Sequence, residues 1–409
     1  MHILYVSNLC SDEKFKEIFD NSSIKPQQQA QKFHSLLSKG LVNQVDSVYV
    51  MSSLPINQST DRNVLLSDCK EIKNNTTYKY LIGLKYPILK HISIFIKGIF
   101  TSFLWCFQNR KQERVIICDV LNLTVSISAF IASKIFSVKT IAIVTDIPDY
   151  MQNYTVQKKK GIKSLVSNIY RGICNYFMYR YDSYIILTEQ MNNIMNPNRK
   201  PYVVIEGMVD LNMKDVPNNL NNKYGEKIVI YAGALYEKYG VKKLIESFLK
   251  LKIDDARLWL FGSGEMEEEI RSYEQLDKRV KYFGVEPNED IVKKQLKATL
   301  LVNPRPSNEE FTKYSFPSKN MEYMVSGTPI LTTPLQGMPK EYYDYVYLFE
   351  DETEEGITET LQNILTKSKG ELHEKGKRSK EFVLDNKNNI VQAISTIEMI
   401  NNFGGRYSE

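Results

Sequence analysis

"SFPSKNMEYMVSGTP", residues Ser315 to Pro329, places a helix start and a helix stop within fifteen residues. Pro317 suits the first helical position, where a missing N–H costs nothing. Gly327 suits the left-handed residue that ends a helix, and Pro329 discourages continuation. A helix opened this way leaves the amides of Ser318 and Lys319 without intrahelical acceptors, and such an end attracts anions. Lys319 adds a full positive charge that works against the helix dipole, a placement that a bound diphosphate would explain. Helical side chains lean toward the N-terminus, so Glu322 projects over the turn holding Ser318 and Lys319. There it would repel phosphates but accept hydrogen bonds from a neighbouring sugar diol. The pattern fits a nucleotide with its phosphates on the amides and its ribose on Glu322. Equally, it fits the ordinary helix that precedes a strand in many α/β proteins.

Outward from this helix, short apolar runs alternate with helical patterns in both directions. "ILYVSN", "VDSVYVMS", "RVIICD", "KTIAIVTD" and "SYIILTE" read as buried strands of a first half. "KIVIYAG", "ARLWLFGSG", "KYFG", "TLLVNP", "PILTTP" and "VYLFED" do the same in a second. Such alternation predicts an α/β protein with two Rossmann-like parallel-sheet domains facing a cleft. Ligands of such sheets bind outside the carboxyl ends of the strands. The predicted domains are 1–205 and 206–385, joined near "YVVIEGMVDL", with a terminal helix at about 386–409 packing back on the first.

A chain of 409 residues exceeds one ordinary core, and 43% hydrophobic with 25% charged residues is globular composition. The five cysteines include no C-x-x-C pair and read as reduced thiols. "MHILYVSN" already reads as a strand, giving the expectation that no signal peptide precedes the fold. Lys90 and Lys97 interrupt the best transmembrane candidate, Ile88 to Phe107, so the expected location is cytoplasmic. Residues 1–205 carry 25 Lys/Arg against 14 Asp/Glu, whereas the remainder carries 28 against 34. A basic first half predicts that this half faces a polyanion.

The longer stretch "NPRPSNEEFTKYSFPSKNMEYMVSGTPILTT" resembles the donor-binding region of GT-B glycosyltransferases of family 4. Their motif is Glu, seven residues, Glu, then Gly-x-Pro and a strand. Glu322 matches the second glutamate, and Gly327 with Pro329 matches Gly-x-Pro. Tyr314 stands where the first glutamate belongs, with Glu309 and Glu310 upstream as replacements or as solvated loop charges. "FPSK..EYM..G.P" is similar to a branch found in capsule, exopolysaccharide and O-antigen synthesis. "IYAGALYEKYGVKKLIESF" resembles the family's strand–glycine loop–helix segment, in which Gly233 ends the strand. Ala234 and Tyr239 replace the usual arginine and lysine, so the leaving diphosphate needs other cations. Arg305 and Lys319 are the first candidates, with Lys238 third or merely solvated. In "LWLFGSGEMEEEI", Gly262 and Gly264 allow a tight loop. The resemblance puts the nucleotide base near Gly284 and Val285, and the donor against Tyr314, Ser315, Phe316, Pro317 and Ser318.

In the first half, "KTIAIVTDIPDYMQNY" ends a strand in Thr145-Asp146, where family members often have His-Asp. Asp146 either orients the acceptor hydroxyl or caps a turn. Ser7 and Asn8 follow the first strand, where the family's glycine loop faces the donor. Asp119 and Asn122 end another strand without a legible role. "LKYPILKHISIFIKGIFTSFLWCFQNRK" and "QKKKGIKSLVSNIYRGICNYFMYR" mix lysines and arginines with aromatics, which suits an anionic membrane surface or solvated core helices. Without a nucleic-acid-reading module, nucleic acid is not an expected partner. No Asp-x-Asp occurs and the four histidines are scattered, so neither a metal nor another cofactor is expected.

The resemblance thus implies a retaining, metal-independent enzyme that moves a sugar from a nucleotide-sugar, UDP-linked, to a lipid-linked or polysaccharide acceptor in bacterial surface polysaccharide synthesis. It would sit on the inner face of the membrane. Two other readings stay open: a catalytically inactive partner of another transferase, and a nucleotide-sugar 2-epimerase.

Overall fold

The computed structural model describes residues 1–56, 60, 70–73, 75–83, 87–147, 172, 173 and 175–404. The chain divides into two compact units, Met1–Met208 with Asn389–Glu409, and Val209–Asn388.

Among the described residues, the first unit has eight strands: β1 (His2–Ser7), β2 (Ser47–Ser52), β3 (Lys70–Lys73), β4 (Thr76–Tyr80), β5 (Arg114–Asp119), β6 (Lys139–Val144), β7 (Ser183–Ile186) and β8 (Tyr202–Val204). Their order is β3-β4-β2-β1-β5-β6-β7-β8, parallel throughout except for the β3–β4 pair. Helices α1 (Asp12–Asp20), α2 (Gln28–Val42), α3 (Pro87–Gln108), α4 (Leu123–Ile135) and α5 (Glu189–Met195) connect them. Strands covered on both faces need near-continuous apolar runs. Accordingly, Ile3 to Val6 and Ile116 to Cys118 have no exposed surface. Val6 pairs with Met51 on one side and Cys118 on the other, so β1, β2 and β5 end at one sheet edge. The sequence reading missed β3 and β4, and the strand it placed before Glu206-Gly207 is β8, which ends earlier, at Val204. The edge strand β3 is "KEIK", half exposed and without an apolar run, and Asn75 turns the chain with φ of 60°.

The second unit has six parallel strands: β9 (Lys227–Ala232), β10 (Ala256–Phe261), β11 (Val280–Gly284), β12 (Leu300–Asn303), β13 (Ile330–Thr332) and β14 (Tyr347–Leu348). Their order is β11-β10-β9-β12-β13-β14. The chain winds outward from β9 in one direction and from β12 in the other. This reversal opens a crevice at the carboxyl ends of β9 and β12, where doubly wound sheets bind ligands. Helices α6 (Val241–Leu249), α7 (Glu267–Leu276) and α10 (Glu354–Leu365) bury Leu244, Ile270 and Leu361 in one core layer. Helices α8 (Asn288–Lys297), α9 (Ser318–Ser326) and α11 (Lys369–Asn386) contribute Ile291, Met321, Met324 and Phe382 to the other. The last helix, α12 (Asn389–Gly404), returns to the first unit, where Ala393, Met399 and Ile400 join its core beside Leu37 and Leu41 of α2.

The sequence reading also needs correction at α3. Despite Lys90 and Lys97 it is one continuous helix, and Leu89–Gln108 is long and apolar enough to cross a membrane by length and composition. Both lysines end on backbone carbonyls, Lys90 on Ile56 O and Lys97 on Ile82 O.

Candidate active site

Helix α9 begins at Ser318, so Pro317 precedes it as the N-cap, with φ of −71° and ψ of 106°, and does not occupy the first helical position. The consequence for the helix start is similar. Proline brings no side-chain acceptor, and its carbonyl receives the Asn320 amide at 2.9 Å. Gly327 ends the helix in the left-handed conformation, φ 75°.

Side chains of α9 lock its start onto three strand ends. Asn320 has no exposed surface; its Oδ1 accepts from Asn303 Nδ2 at 2.7 Å, and its Nδ2 donates to Thr332 Oγ1 at 3.2 Å. Tyr323 Oη, equally buried, accepts from the Ala232 amide at 2.9 Å. Buried polar groups need such partners, and here the partners set the helix register. The sequence reading passed over Asn303, Asn320 and Tyr323, because their value lies in mutual contacts that no spacing reveals.

Lys319 reaches across to the end of β9, where its Nζ donates to Ala232 O and lies 5.7 Å from the centroid of the Tyr231 ring. A Cβ on Gly233 would stand 2.0 Å from that nitrogen. Glycine is therefore required at 233 to admit the ammonium. Burial pushes the Lys319 amine down to about 8, against the pull of Glu322 and reinforced by Arg305. Glu322 is half-buried, one turn beyond Ser318.

Arg305 leaves the end of β12. Its guanidinium lies 5.0 Å from the Tyr239 ring and 5.4 Å from the Phe311 ring, and Nη1 is 3.5 Å from Ser315 Oγ. Tyr239, which stands at the position of the motif's lysine, is thus the surface on which Arg305 rests. Ser315 also donates to Phe311 O at 3.2 Å. Tyr314 is half-buried and follows a short turn, with its amide on Phe311 O at 3.0 Å. The Phe316 side chain is 5% exposed, with its ring 5.2 Å from that of Tyr342, and anchors the loop from beneath.

Lys238 lies 5.4 Å from both the Tyr236 and Tyr239 rings. With Glu237, Lys243, Glu265, Ser307 and Glu309 it lines a depression of about 720 Å³ over the carboxyl end of the sheet. Glu309 lines this space; Glu310 does not. Gly284 closes β11, and Val285 beside it is 72% exposed.

In the first unit, Thr145 and the exposed Asp146 follow the end of β6. Ser7 is fully buried and accepts the Leu9 amide at 3.0 Å, which ties it to its own loop. Asn8 O and Oδ1 both receive Gln31 Nε2. Asp119 takes part in a buried chain: its Oδ1 accepts the Leu121 amide at 3.0 Å, its Oδ2 lies 3.4 Å from His34 Nε2, and His34 Nδ1 is 2.8 Å from Tyr5 Oη. Asn122 accepts from Ser53 Oγ at 2.9 Å. The second basic stretch, Gln157 to Arg180, lies outside the described residues up to Arg171 and at Cys174. Among the described residues, no group of three or more His, Cys, Asp or Glu is placed to hold a metal ion.

Residues 212–382 match the family described as glycosyl transferases group 1. No curated protein matches the chain. Among solved structures, the sucrose-phosphate synthase of Thermosynechococcus elongatus is similar at TM-score 0.67 and 14% identity, covering 99% of both chains. Anabaena HepE in complex with UDP-glucose gives 0.60 and 13%, covering 98% of this chain and 100% of its own. The lipopolysaccharide outer core galactosyltransferase WaaB gives 0.58 and 15%, covering 98% and 99%. These likenesses show the GT-B fold.

Proposed function

We propose that this chain, a glycosyltransferase with a group 1 domain in a GT-B fold, moves a sugar from a UDP-sugar to a lipid-linked or polysaccharide acceptor, with retention at the anomeric carbon. One observation carries the reading: packing draws the Lys319 ammonium to the end of β9, beside Gly233, while Arg305 follows the end of the neighbouring strand β12 and rests on Tyr239. Two cations held together at the crevice of a doubly wound sheet form a receptor for a diphosphate. The UDP assignment draws on HepE, whose structures contain UDP and UDP-glucose.

In this reading the diphosphate lies on the first amides of α9, between Lys319 and Arg305, which take over from the motif's missing arginine and lysine. Glu322 accepts the ribose hydroxyls, Gly284 and Val285 border the base, and Glu309 faces the sugar in place of the glutamate absent at Tyr314. The bond from the anomeric carbon to the phosphate oxygen breaks, and the cations stabilise the charge that develops on the leaving diphosphate. The acceptor oxygen bonds to the anomeric carbon from the same face. Its proton passes to the leaving phosphate oxygen. The acceptor class and a role in bacterial surface polysaccharide synthesis follow from the "FPSK..EYM..G.P" resemblance.

The test is transfer or donor hydrolysis by the purified chain across a panel of UDP-sugars, with product configuration read by NMR. Turnover that disappears in Glu322→Ala and yields the donor's own anomer supports the reading. UDP binding without turnover for any donor, or free interconversion of UDP-sugars, overturns it.

A further inference from the structure

We propose that α3 is an in-plane membrane anchor, whose outer face inserts into an anionic lipid surface while its inner face stays packed in the first unit. The helix has two opposed stripes. Ile94, Ser102, Trp105 and Cys106 are at most 5% exposed, and Gly98 approaches α4 so closely that a Cβ there would stand 2.3 Å from Ser128 Oγ. On the other side, Leu89, Ile92, Ile96, Phe100, Leu104 and Phe107 are between 45% and 70% exposed. Their spacings of three and four residues put them on one face, turned away from the buried stripe. The stripe runs for about 27 Å at the helical rise, far longer than the scattered surface apolar residues of a soluble domain.

Charge selects the occupant. From Ile72 to Gln112 the sequence has no Asp or Glu and seven Lys or Arg. Lys97 is exposed on the flank of the stripe, with Nζ on Ile82 O at 2.8 Å. Arg110 and Lys111 are exposed just past the helix end, and the Arg110 guanidinium lies 4.3 Å from the Phe107 ring. An apolar face rimmed by cations and without carboxylates matches acyl chains beneath anionic headgroups. The buried stripe decides against a span: to cross a bilayer, α3 would have to leave α4 and expose Ser102 and Ser128 to lipid. The helix lies flat.

This inference goes beyond the sugar-transfer reading and does not need it, because retention on vesicles requires neither donor nor acceptor. The full chain is floated with vesicles of phosphatidylcholine alone and of phosphatidylcholine with phosphatidylglycerol, at about 0.15 M salt. Retention is expected on the anionic vesicles and is expected to weaken with added salt. Ile96→Ser combined with Phe100→Ser should lower it at least roughly tenfold, while Leu276→Ser, equally exposed but in the second unit, should not change it. An unaltered thermal midpoint and circular dichroism spectrum establish that the double variant is folded. Absence of retention in the wild type, or equal retention of the double variant, overturns the proposal. So does a concentration-dependent dimer that the double variant disperses without any vesicle binding, since a second copy would then cover the face.

Discussion

The Lys319 ammonium donates to the carbonyl of Ala232, 87 residues away in the chain. It thereby joins the start of α9 to the end of β9 at the point where the sheet's winding reverses. A buried cation costs folding free energy unless it is paired, and a second cation nearby increases the cost. Glu322 offsets part of that cost for Lys319, and a bound diphosphate would offset more.

Lys319→Met should therefore separate stability from binding. An amine lowered to about 8 holds fewer protons in the folded chain than in the unfolded one between pH 8 and its ordinary value of 10.5. Its cost to stability is fully present below pH 8 and fades as pH rises through that window. At pH 7 the variant is expected to melt at a higher temperature than the wild type and to bind UDP roughly tenfold to a hundredfold more weakly. Thermal melts and calorimetry check both.

Proton uptake gives an independent readout. A bound diphosphate raises the Lys319 amine, so UDP binding near pH 8.5 should take up protons and its affinity should fall as pH rises further (roughly a unit above the amine). Calorimetry in buffers of different ionisation enthalpy measures the uptake. Lys319→Met should abolish it.

Gly233→Ala places a Cβ 2.0 Å from the present position of Lys319 Nζ. The long lysine side chain can swing aside, so stability should change little while UDP affinity falls as in Lys319→Met. The two substitutions together should cost no more than either alone, a coupling that a double-mutant cycle on UDP binding detects.

Glu322→Ala should remove the preference for UDP over 2′-deoxy-UDP, which the wild type is expected to show at roughly tenfold or more, because a site built for a hydroxyl penalises its absence. Competition binding with both nucleotides provides the check. Equal preference in wild type and variant would move the ribose away from this carboxylate.

Asn320→Leu leaves the buried Asn303 amide and Thr332 hydroxyl without their present partners. A loss of about 1–3 kcal/mol is expected for such an orphaned group, read as a shift in the urea midpoint at unchanged slope.

The strand–helix alternation, the α9 stretch and the shift of charge between halves were legible because each is local: a buried parallel strand must be apolar along its length, and a helix must stop at a residue like Gly327. The polar edge strand β3 was not legible, since "KEIK" pairs with β4 without an apolar run of its own. The candidate site was legible in part. Lys319, Arg305 and Glu322 stood out as charges at element ends, whereas the burial of Phe316 and Ser7 was not legible, because position in a motif says nothing about burial.

By itself, then, the order of residues determined two doubly wound sheets and the helix from Ser318 to Ser326 that closes the candidate site, since periodicity and caps act over one element. Only the tertiary structure decided that Lys319 meets Ala232, that Arg305 lies against Tyr239, and that α3 turns Phe100 outward while burying Trp105. Those are meetings of side chains far apart in sequence or choices between two apolar faces of one helix. Hydrophobicity alone cannot make that choice; the close packing of α3 on α4 through Gly98 does.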